Sequence, residues 1–257
     1  MRFRPCVDIH NGSVKQIVGG SLRDENDQAK DNFVSELGGD YYGELYKSRG
    51  LGGGHIIILN PAGSEYYEAD VKQARLALAA YPGGFQLGGG INDENAEGFL
   101  EAGASHVIVT SFVFRDGMLD EKRLERMLKA VGRDRLVLDL SCRKKDGKYY
   151  IVTDRWQKFT DVEVCERTIK ELEQSCDELL IHGVDSEGKQ SGIETELVEL
   201  MGEHCGIAAT YAGGISSMEQ ISEIERLGRG KIDFTVGSAL DIFGGALSFD
   251  EISRRYV

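Results

Sequence analysis

Short apolar runs, rich in β-branched residues, recur along the chain and are separated by stretches with helical spacing. The apolar runs predict eight strands, at residues 4–9, 55–59, 85–87, 106–110, 135–140, 178–181, 208–211 and 233–236. Helical patterns lie between them, for example at residues 94–102, 121–130, 164–174 and 218–227. Regular alternation of strand and helix indicates a parallel sheet that is covered by helices.

Eight such units in 257 residues predict a closed (β/α)8 TIM barrel, in a single domain that spans residues 1–257. An open doubly wound sheet is the alternative, but no G-x-G-x-x-G motif opens the first helix. Two long polar stretches interrupt the pattern, at residues 11–40 and 142–161. Both are expected to be irregular, as functional lids or disordered inserts are.

An internal repeat of about half the chain length is visible in two glycine clusters. Residues 89–91 and 213–215 both read Gly-Gly-Ile, at an offset of 124 residues. Likewise, Asp8 in CVDI matches Asp139 in VLDL at an offset of 131 residues. The repeat predicts two fused half-barrels, with strands one to four in one and strands five to eight in the other.

Each glycine pair ends a strand, where backbone N–H groups are accessible and no Cβ obstructs a ligand. In (β/α)8 enzymes such strand ends often hold phosphate. The predicted groups are Gly89, Gly90, Thr110 and Ser111 on one side, and Gly213, Gly214, Gly237 and Ser238 on the other. Two sites across one barrel mouth predict an elongated ligand with a phosphate at each end. For either cluster alone, a simple turn is the alternative.

Two carboxylates lie between the predicted phosphate sites. Asp8 and Asp139 come near the carboxyl ends of strands one and five, which lie on opposite sides of a barrel. A charge within an apolar strand is costly unless it is paired or faces a wet site. The pair therefore suits general acid–base chemistry. The alternative is a structural role, such as a loop cap or an ion pair with Lys15 or Arg143.

Three further residues are weaker candidates for the site. His10 follows Asp8 by two positions, so strand alternation places it on the same side, toward substrate or solvent. Trp156 is the only tryptophan, and it either stacks on an aromatic ligand or packs on neighbouring loops. Arg143 either binds a phosphate or is solvated.

Composition narrows the possible partners. The formal net charge of −13 argues against nucleic acid and anionic membrane as partners. The sequence contains no apolar run of about 18 residues, so no membrane span is predicted. The five cysteines and five histidines show no metal-ligand spacing, so no metal is expected. The N-terminus lacks a targeting pattern, which favours a cytoplasmic location. We expect a monomer that binds a small-molecule bisphosphate.

The ordered set VDIHNGSVKQIVGG, LGGGI, VIVTS, VLDLSCR, RWQ, YAGGIS and TVGSALDIFGG resembles a known family. It is similar to the phosphoribosylformimino-5-aminoimidazole carboxamide ribotide isomerases of histidine biosynthesis, and most of all to their eukaryotic-type branch. The similarity covers residues 3–245. It implies an Amadori rearrangement of an aminoaldose, with Asp8 as the base, Asp139 as the acid and no cofactor or metal.

The sequence departs from the family pattern at two positions. His182 stands where bacterial members carry a threonine that helps to orient the aspartate of strand five. The resemblance therefore implies that an imidazole hydrogen-bonds Asp139 and changes its titration. Asn92 replaces an arginine that many relatives carry, so Arg143 or backbone groups are expected to contact the phosphate there.

Two alternatives remain open. The cyclase subunit that acts next in the pathway shares the duplicated barrel and both aspartates, but the tryptophan-bearing loop after strand five resembles the isomerase more. A barrel that binds phosphate ligands without catalysis is the non-enzymatic alternative. The presence of both Asp8 and Asp139 argues against it.

Overall fold

The eight predicted strands are all present in the computed structural model, which describes residues 1–17, 31–186 and 192–257. The described strands are β1 (Cys6–His10), β2 (Ser13–Ile17), β3 (Asp31–Val34), β4 (Gly54–Ile58), β5 (Phe85–Gly88), β6 (His106–Val109), β7 (Phe114–Arg115), β8 (Met118–Leu119), β9 (Leu136–Asp139), β10 (Cys142–Lys145), β11 (Lys148–Thr153), β12 (Lys158–Glu163), β13 (Glu178–His182), β14 (Ala208–Ala212) and β15 (Ile232–Phe234). The described helices are α1 (Gly39–Ser48), α2 (Tyr67–Ala80), α3 (Ala96–Glu101), α4 (Glu121–Val131), α5 (Glu166–Leu172), α6 (Thr195–His204), α7 (Met218–Leu227) and α8 (Phe249–Arg255).

Eight of these strands form a parallel sheet in the order β15-β14-β13-β9-β6-β5-β4-β1. The two ends of the sheet are joined, which closes it into a barrel. Phe3, just before β1, forms a parallel bridge to Phe234 in β15, and the Arg4 amide donates to the Phe234 carbonyl at 2.8 Å. The predicted (β/α)8 barrel is therefore confirmed. The predicted strand bounds differ from the observed ones by no more than two residues, which is the usual uncertainty of element ends.

The helices bury one face each against the sheet. In α7, Ile221 and Ile224 are fully buried at a spacing of three residues, which is the spacing that places side chains on one helical face. Ser217 begins this helix, and its hydroxyl accepts from the Gln220 amide at 3.4 Å. None of the described helices is both long enough and apolar enough to cross a membrane.

The two long polar stretches are not irregular in the described residues, so that expectation is wrong there. Within residues 11–40, β2 and β3 extend the sheet as antiparallel strands, and α1 begins at Gly39; residues 18–30 lie outside the described residues. Residues 142–161 contain most of the antiparallel sheet β10-β11-β12. A long polar segment can satisfy the hydrogen bonds of its backbone N–H and C=O groups by forming strands that pair with one another. Asp146 and Gly147 form the left-handed turn, which is a strong hairpin signal in sequence.

The end of the barrel opposite the strand carboxyl ends is filled by buried polar side chains. Arg4 donates to Asp233 at 2.7 Å and lies 3.5 Å from Glu178. Glu178 also accepts from Gln86 and Thr210, at 2.7 Å each. These partners compensate for burying charge, and removing one would leave another buried and unpaired. The barrel is therefore closed at the amino ends of its strands, and its open end lies at the strand carboxyl ends.

Candidate active site

A cavity of about 610 Å³ opens at the carboxyl ends of the barrel strands. Its size falls within the range of small-molecule sites. Most sequence-predicted site residues line it, namely Asp8, Gly89, Gly90, Thr110, Ser111, Asp139, Trp156, His182, Gly213, Gly214, Gly237 and Ser238. The two strand-end glycine clusters and both carboxylates thus share one cavity.

The glycine pairs have the same backbone conformation in both halves of the barrel. Gly89 and Gly90 have φ of +98° and +70°, and Gly213 and Gly214 have φ of +122° and +72°. Only glycine adopts such values without strain. A Cβ on Gly90 would find only the Tyr67 ring, at 3.6 Å or more, whereas a Cβ on Gly89, Gly213 or Gly214 would overlap a backbone carbonyl oxygen. The glycines are therefore required by the packing of the barrel end, whether or not a ligand also needs them.

Asp139, at the end of β9, is half-buried and hydrogen-bonded. Its carboxylate accepts from the Thr110 hydroxyl at 2.8 Å, and the Ser141 hydroxyl lies 2.9 Å from both of its oxygens. Burial raises the pKa of Asp139, while the charge of His182 and the two hydroxyl donors oppose that rise. A carboxyl group with a raised pKa retains its proton at higher pH, as a general acid requires.

Thr110 contacts Asp139 and also lines the cavity beside the first glycine cluster. Its hydroxyl donates to Asp139 at 2.8 Å, because β6 and β9 are neighbours and bring the two side chains together. Contact of Thr110 with a phosphate stays a prediction. Ser111 remains at the cavity wall, where its hydroxyl accepts from the Asp154 amide at 3.3 Å.

Trp156 lies at the tip of the β11–β12 hairpin. Its indole Nε1 donates to the Ser141 hydroxyl at 3.2 Å. Its ring meets the His182 ring edge-on, with centroids 5.0 Å apart. Asp154, Arg155 and Trp156 all have positive φ, which is unusual for three consecutive residues that are not glycine. Such strain often occurs at functional sites, and here it aims the indole into the cavity.

Asp8 lines the cavity from β1, across the barrel from β9. Lys15 lies directly opposite Asp8 in the antiparallel β1–β2 pairing, which places both side chains on one face of the sheet. Asp8 can thus pair with Lys15 and still face the cavity.

His10 and Arg143 are not among the described residues that line the cavity. His10 is only 1% exposed, because the chain reverses immediately after it and pairs it with Ser13. Arg143 points to the neighbouring loop, where its Nε donates to Asp185 at 2.8 Å and its guanidinium lies over the Phe159 ring. The structure therefore does not bring these two residues into the cavity lining, and their contact with the ligand stays a prediction.

The cavity is also lined by residues that the sequence does not predict, including Ser141, Arg155 and Lys158. Ser141 follows Asp139 by two positions, and this spacing in extended chain is a signal that could have identified it. Arg155 and Lys158 bring positive charge to the mouth of an acidic protein. Among the described residues, no cluster of three or more His, Cys, Asp or Glu side chains is placed to hold a metal ion.

Residues 2–247 match the family described as histidine biosynthesis protein. The chain belongs to this family. The resemblance inferred from the motifs is thereby confirmed, and the family accounts for nearly the whole barrel, from before β1 to the segment between β15 and α8.

Curated relatives of the family extend this comparison. A Medicago truncatula protein is 52% identical over 98% of this chain and 80% of its own length. Proteins from Neurospora crassa and Saccharomyces cerevisiae are 46% and 42% identical, over 95% and 98% of this chain and 93% and 97% of their own. All three are named 1-(5-phosphoribosyl)-5-((5-phosphoribosylamino)methylideneamino)imidazole-4-carboxamide isomerase. The Medicago protein is also named as chloroplastic, so the cytoplasmic location of this family member stays a prediction.

Proposed function

We propose that this chain is an aldose–ketose isomerase of histidine biosynthesis. It converts the N-phosphoribosylformimino aminoimidazole carboxamide ribotide to its phosphoribulosyl isomer by an Amadori rearrangement. The observation that carries the proposal is the presence of Asp8 and Asp139 in one cavity, together with two matching strand-end glycine clusters. Family membership and the names of the relatives support the same reaction.

The substrate carries a phosphate at each end, and the duplicated glycine clusters provide the matching sites. Backbone N–H groups at Gly89 and Gly90 serve one phosphate, and those at Gly213 and Gly214 serve the other. Ser238 lies beside the second cluster in the cavity wall. Binding at both ends places the reacting carbons between Asp8 and Asp139, and this positioning lowers the entropic part of the barrier.

Asp139 acts first, as the general acid. It gives its proton to the ring oxygen of the aminoaldose, the bond from C1 to that oxygen breaks, and the nitrogen lone pair forms a protonated imine at C1. The raised pKa of Asp139 keeps the required proton available. Thr110 and Ser141 then stabilise the resulting carboxylate, because both donate to it.

Asp8 acts second, as the general base. It removes the proton from C2, and the electron pair of that bond forms the C1–C2 double bond while the imine nitrogen becomes neutral. The enol then loses its hydroxyl proton as C1 gains one, which yields the ketose; in net terms Asp8 gives up the proton that it took and Asp139 regains the proton that it gave. Atoms and electrons balance within the substrate, since C2 is oxidised as C1 is reduced. The chain acts as a single barrel domain and as a monomer.

The test is turnover of the aminoaldose by the purified chain, without ammonia or glutamine and with chromatographic separation of the products. The expected product is the phosphoribulosyl isomer. Formation of imidazole glycerol phosphate from that isomer with ammonia would instead identify the cyclase. Tight binding of the aminoaldose without turnover would identify a non-catalytic barrel.

Matched variants connect turnover to the cavity. Asp139→Asn removes the proposed acid and keeps its shape. Asp116→Asn is the control, because Asp116 is exposed at a left-handed turn position that asparagine also tolerates. The proposal requires loss of turnover in the first variant and near-normal turnover in the second.

A further inference from the structure

A chain of two hydrogen bonds connects the hairpin tip to Asp139. The Trp156 indole donates to the Ser141 hydroxyl at 3.2 Å, and that hydroxyl lies 2.9 Å from each oxygen of Asp139. An indole N–H is only a donor, and a serine hydroxyl has one proton and two acceptor lone pairs. The hydroxyl therefore accepts from Trp156 with a lone pair and directs its single proton to Asp139.

We propose that Ser141 is a positioning residue for Asp139, and that Trp156 acts on Asp139 only through the Ser141 hydroxyl. The inference rests on the proposed function, in which Asp139 is the general acid. Ser141 is 1% exposed, so water does not replace its hydrogen bonds. Its orientation is set by its two neighbours rather than by solvent.

The position of the hairpin follows from contacts outside the cavity. The β10–β12 sheet is held by Arg143 and the Lys144 amide, which donate to the two oxygens of Asp185 at 2.8 and 3.2 Å. Tyr149 adds a hydrogen bond to Glu194 at 2.9 Å. These contacts hold the base of the hairpin on the loop after β13, while its tip carries Trp156 to Ser141. Docking of the hairpin thus determines how Ser141 points.

The consequence for the acid follows from the direction of donation. A donor aimed at a carboxylate favours its ionised form. With Trp156 on Ser141, the donor is oriented toward Asp139. If the indole leaves Ser141 to cover the substrate, the hydroxyl is free to rotate and Asp139 retains Thr110 as its side-chain hydroxyl donor. Movement of the hairpin tip over the substrate would therefore favour the protonated acid.

Several other groups also influence Asp139. Thr110 faces it from the end of β6, His182 from β13 and Cys142 from β10. The same cavity is also lined by the charged or titratable residues Asp8, His55, Asp154, Arg155 and Lys158. None of them is substituted in the Ser141 and Trp156 variants, although Trp156→Phe also alters the ring contact with His182. Differences between variants therefore isolate the hydrogen-bond chain better than any single pH profile does.

The first measurement is the pH profile of kcat for wild type and Ser141→Ala. The alkaline limb of this profile is the part in which kcat falls as pH rises. Loss of an oriented donor should move the alkaline limb to higher pH, by about one pH unit. The kcat maximum should fall roughly 10-fold, as for loss of one hydrogen bond to a charged group, with KM little changed. Ser141→Thr keeps the hydroxyl, so its alkaline limb should lie at the same pH as that of wild type. An unmoved limb in Ser141→Ala would overturn the inference.

A double-mutant cycle tests the order of the chain. Trp156→Phe removes the indole donor and keeps an aromatic ring, and it should shift the limb upward by itself. In the Ser141→Ala background it should add no shift, whereas in the Thr110→Val background its shift should persist. An equal shift in the Ser141→Ala background would show that Trp156 acts directly or through His182, and would refute the proposal.

Carboxyl-carbon NMR of the ligand-free protein separates this inference from the proposed function. The Asp139 signal, assigned by its absence in Asp139→Asn, should titrate at higher pH in Ser141→Ala than in wild type. This measurement needs no turnover, so it decides the role of Ser141 even if the aminoaldose is not the substrate. If Ser141→Ala does not fold, Trp156→Phe, at the half-buried cavity wall, provides the same readout.

Discussion

Gly89 and Gly213 occupy equivalent positions at the mouth of the barrel. Both have positive φ, and a Cβ on either would meet a backbone carbonyl oxygen at the end of the preceding barrel strand. For Gly89 this is the carbonyl of Ile58, the last residue of β4, and for Gly213 it is that of Gly183, the residue after β13. The two halves of the chain thus preserve one backbone arrangement at two places. The sequence repeat has a direct structural counterpart.

Alanine at these positions should destabilise the barrel more than alanine at an unobstructed left-handed glycine. Gly244 is the matched control, because it is left-handed and a Cβ there would meet nothing within 4 Å. Gly244→Ala should cost about 1–2 kcal/mol of unfolding free energy from the backbone alone. Gly213→Ala should cost roughly 1–3 kcal/mol more, because of the overlap. Urea unfolding measures both, and equal losses would contradict the close-packing explanation.

Crystals grown in sulfate or phosphate should contain an anion at each glycine cluster. One is expected beside Gly89 and Gly90, and the other beside Gly213, Gly214 and Ser238. The physical reason is the same at both places, since exposed backbone N–H groups at a strand end attract anions. Anions found only elsewhere on the barrel would count against the two-phosphate ligand.

Replacing either carboxylate by its amide should abolish most turnover without abolishing binding. Loss of a general acid or base typically costs about 10²–10⁴-fold in rate, so Asp8→Asn and Asp139→Asn should each lose at least that much kcat. Calorimetry with a bisphosphate ligand should still detect binding in both. Near-normal kcat in Asp139→Asn would refute the two-carboxylate mechanism and make His182 the leading candidate for the acid.

His182→Thr provides the comparison for that experiment. It should cost far less kcat than Asp139→Asn, because the imidazole is expected only to orient and charge-stabilise the carboxylate. The charge of His182 lowers the pKa of Asp139, so its removal should move the alkaline limb of the kcat profile to higher pH. A loss as large as that of Asp139→Asn would assign proton transfer to the imidazole.

Asp139→Asn should also change how stability depends on pH. Burial raises the pKa of Asp139, so the folded protein binds a proton that the unfolded chain, with a carboxyl pKa of about 4, has released. The stability from this proton is present below the unfolded pKa and is lost as pH rises through the raised folded pKa. Asparagine does not titrate, so the variant should gain stability relative to wild type as pH rises from the unfolded pKa through the raised folded pKa of Asp139. Thermal melting curves that differ by a constant amount would contradict this.

The β11–β12 hairpin should move when ligand binds. Trp156 is the only tryptophan of the chain, so its fluorescence reports on the tip alone. Saturating bisphosphate should change the emission and protect the hairpin from trypsin at Arg155 and Lys158, because closure excludes water from an open-chain imine. Unchanged emission together with unchanged cleavage would exclude hairpin closure. The same prediction for residues 11–40 falls partly on residues 18–30, outside the described residues.

The sequence by itself determined the order of strands and helices, and with it the barrel. Alternation of apolar runs with helical spacing is a local property, and eight such units in one chain close into a barrel by pairing neighbours in order. The repeat in the sequence also identifies the two glycine clusters and the two aspartates. The β10–β11 turn also has a local signal in the sequence, the Asp146–Gly147 pair, although the polarity of the surrounding stretch favours an irregular segment.

Only the tertiary structure decided which side chains meet. Thr110 reaches Asp139 because β6 and β9 are neighbours, and Trp156 reaches Ser141 because a three-stranded sheet carries it back to the barrel mouth. Arg143 is drawn to Asp185 instead of the cavity for the same reason. Strand formation depends on nearby residues, whereas the partner of a polar side chain depends on elements that are distant in sequence and adjacent only after folding.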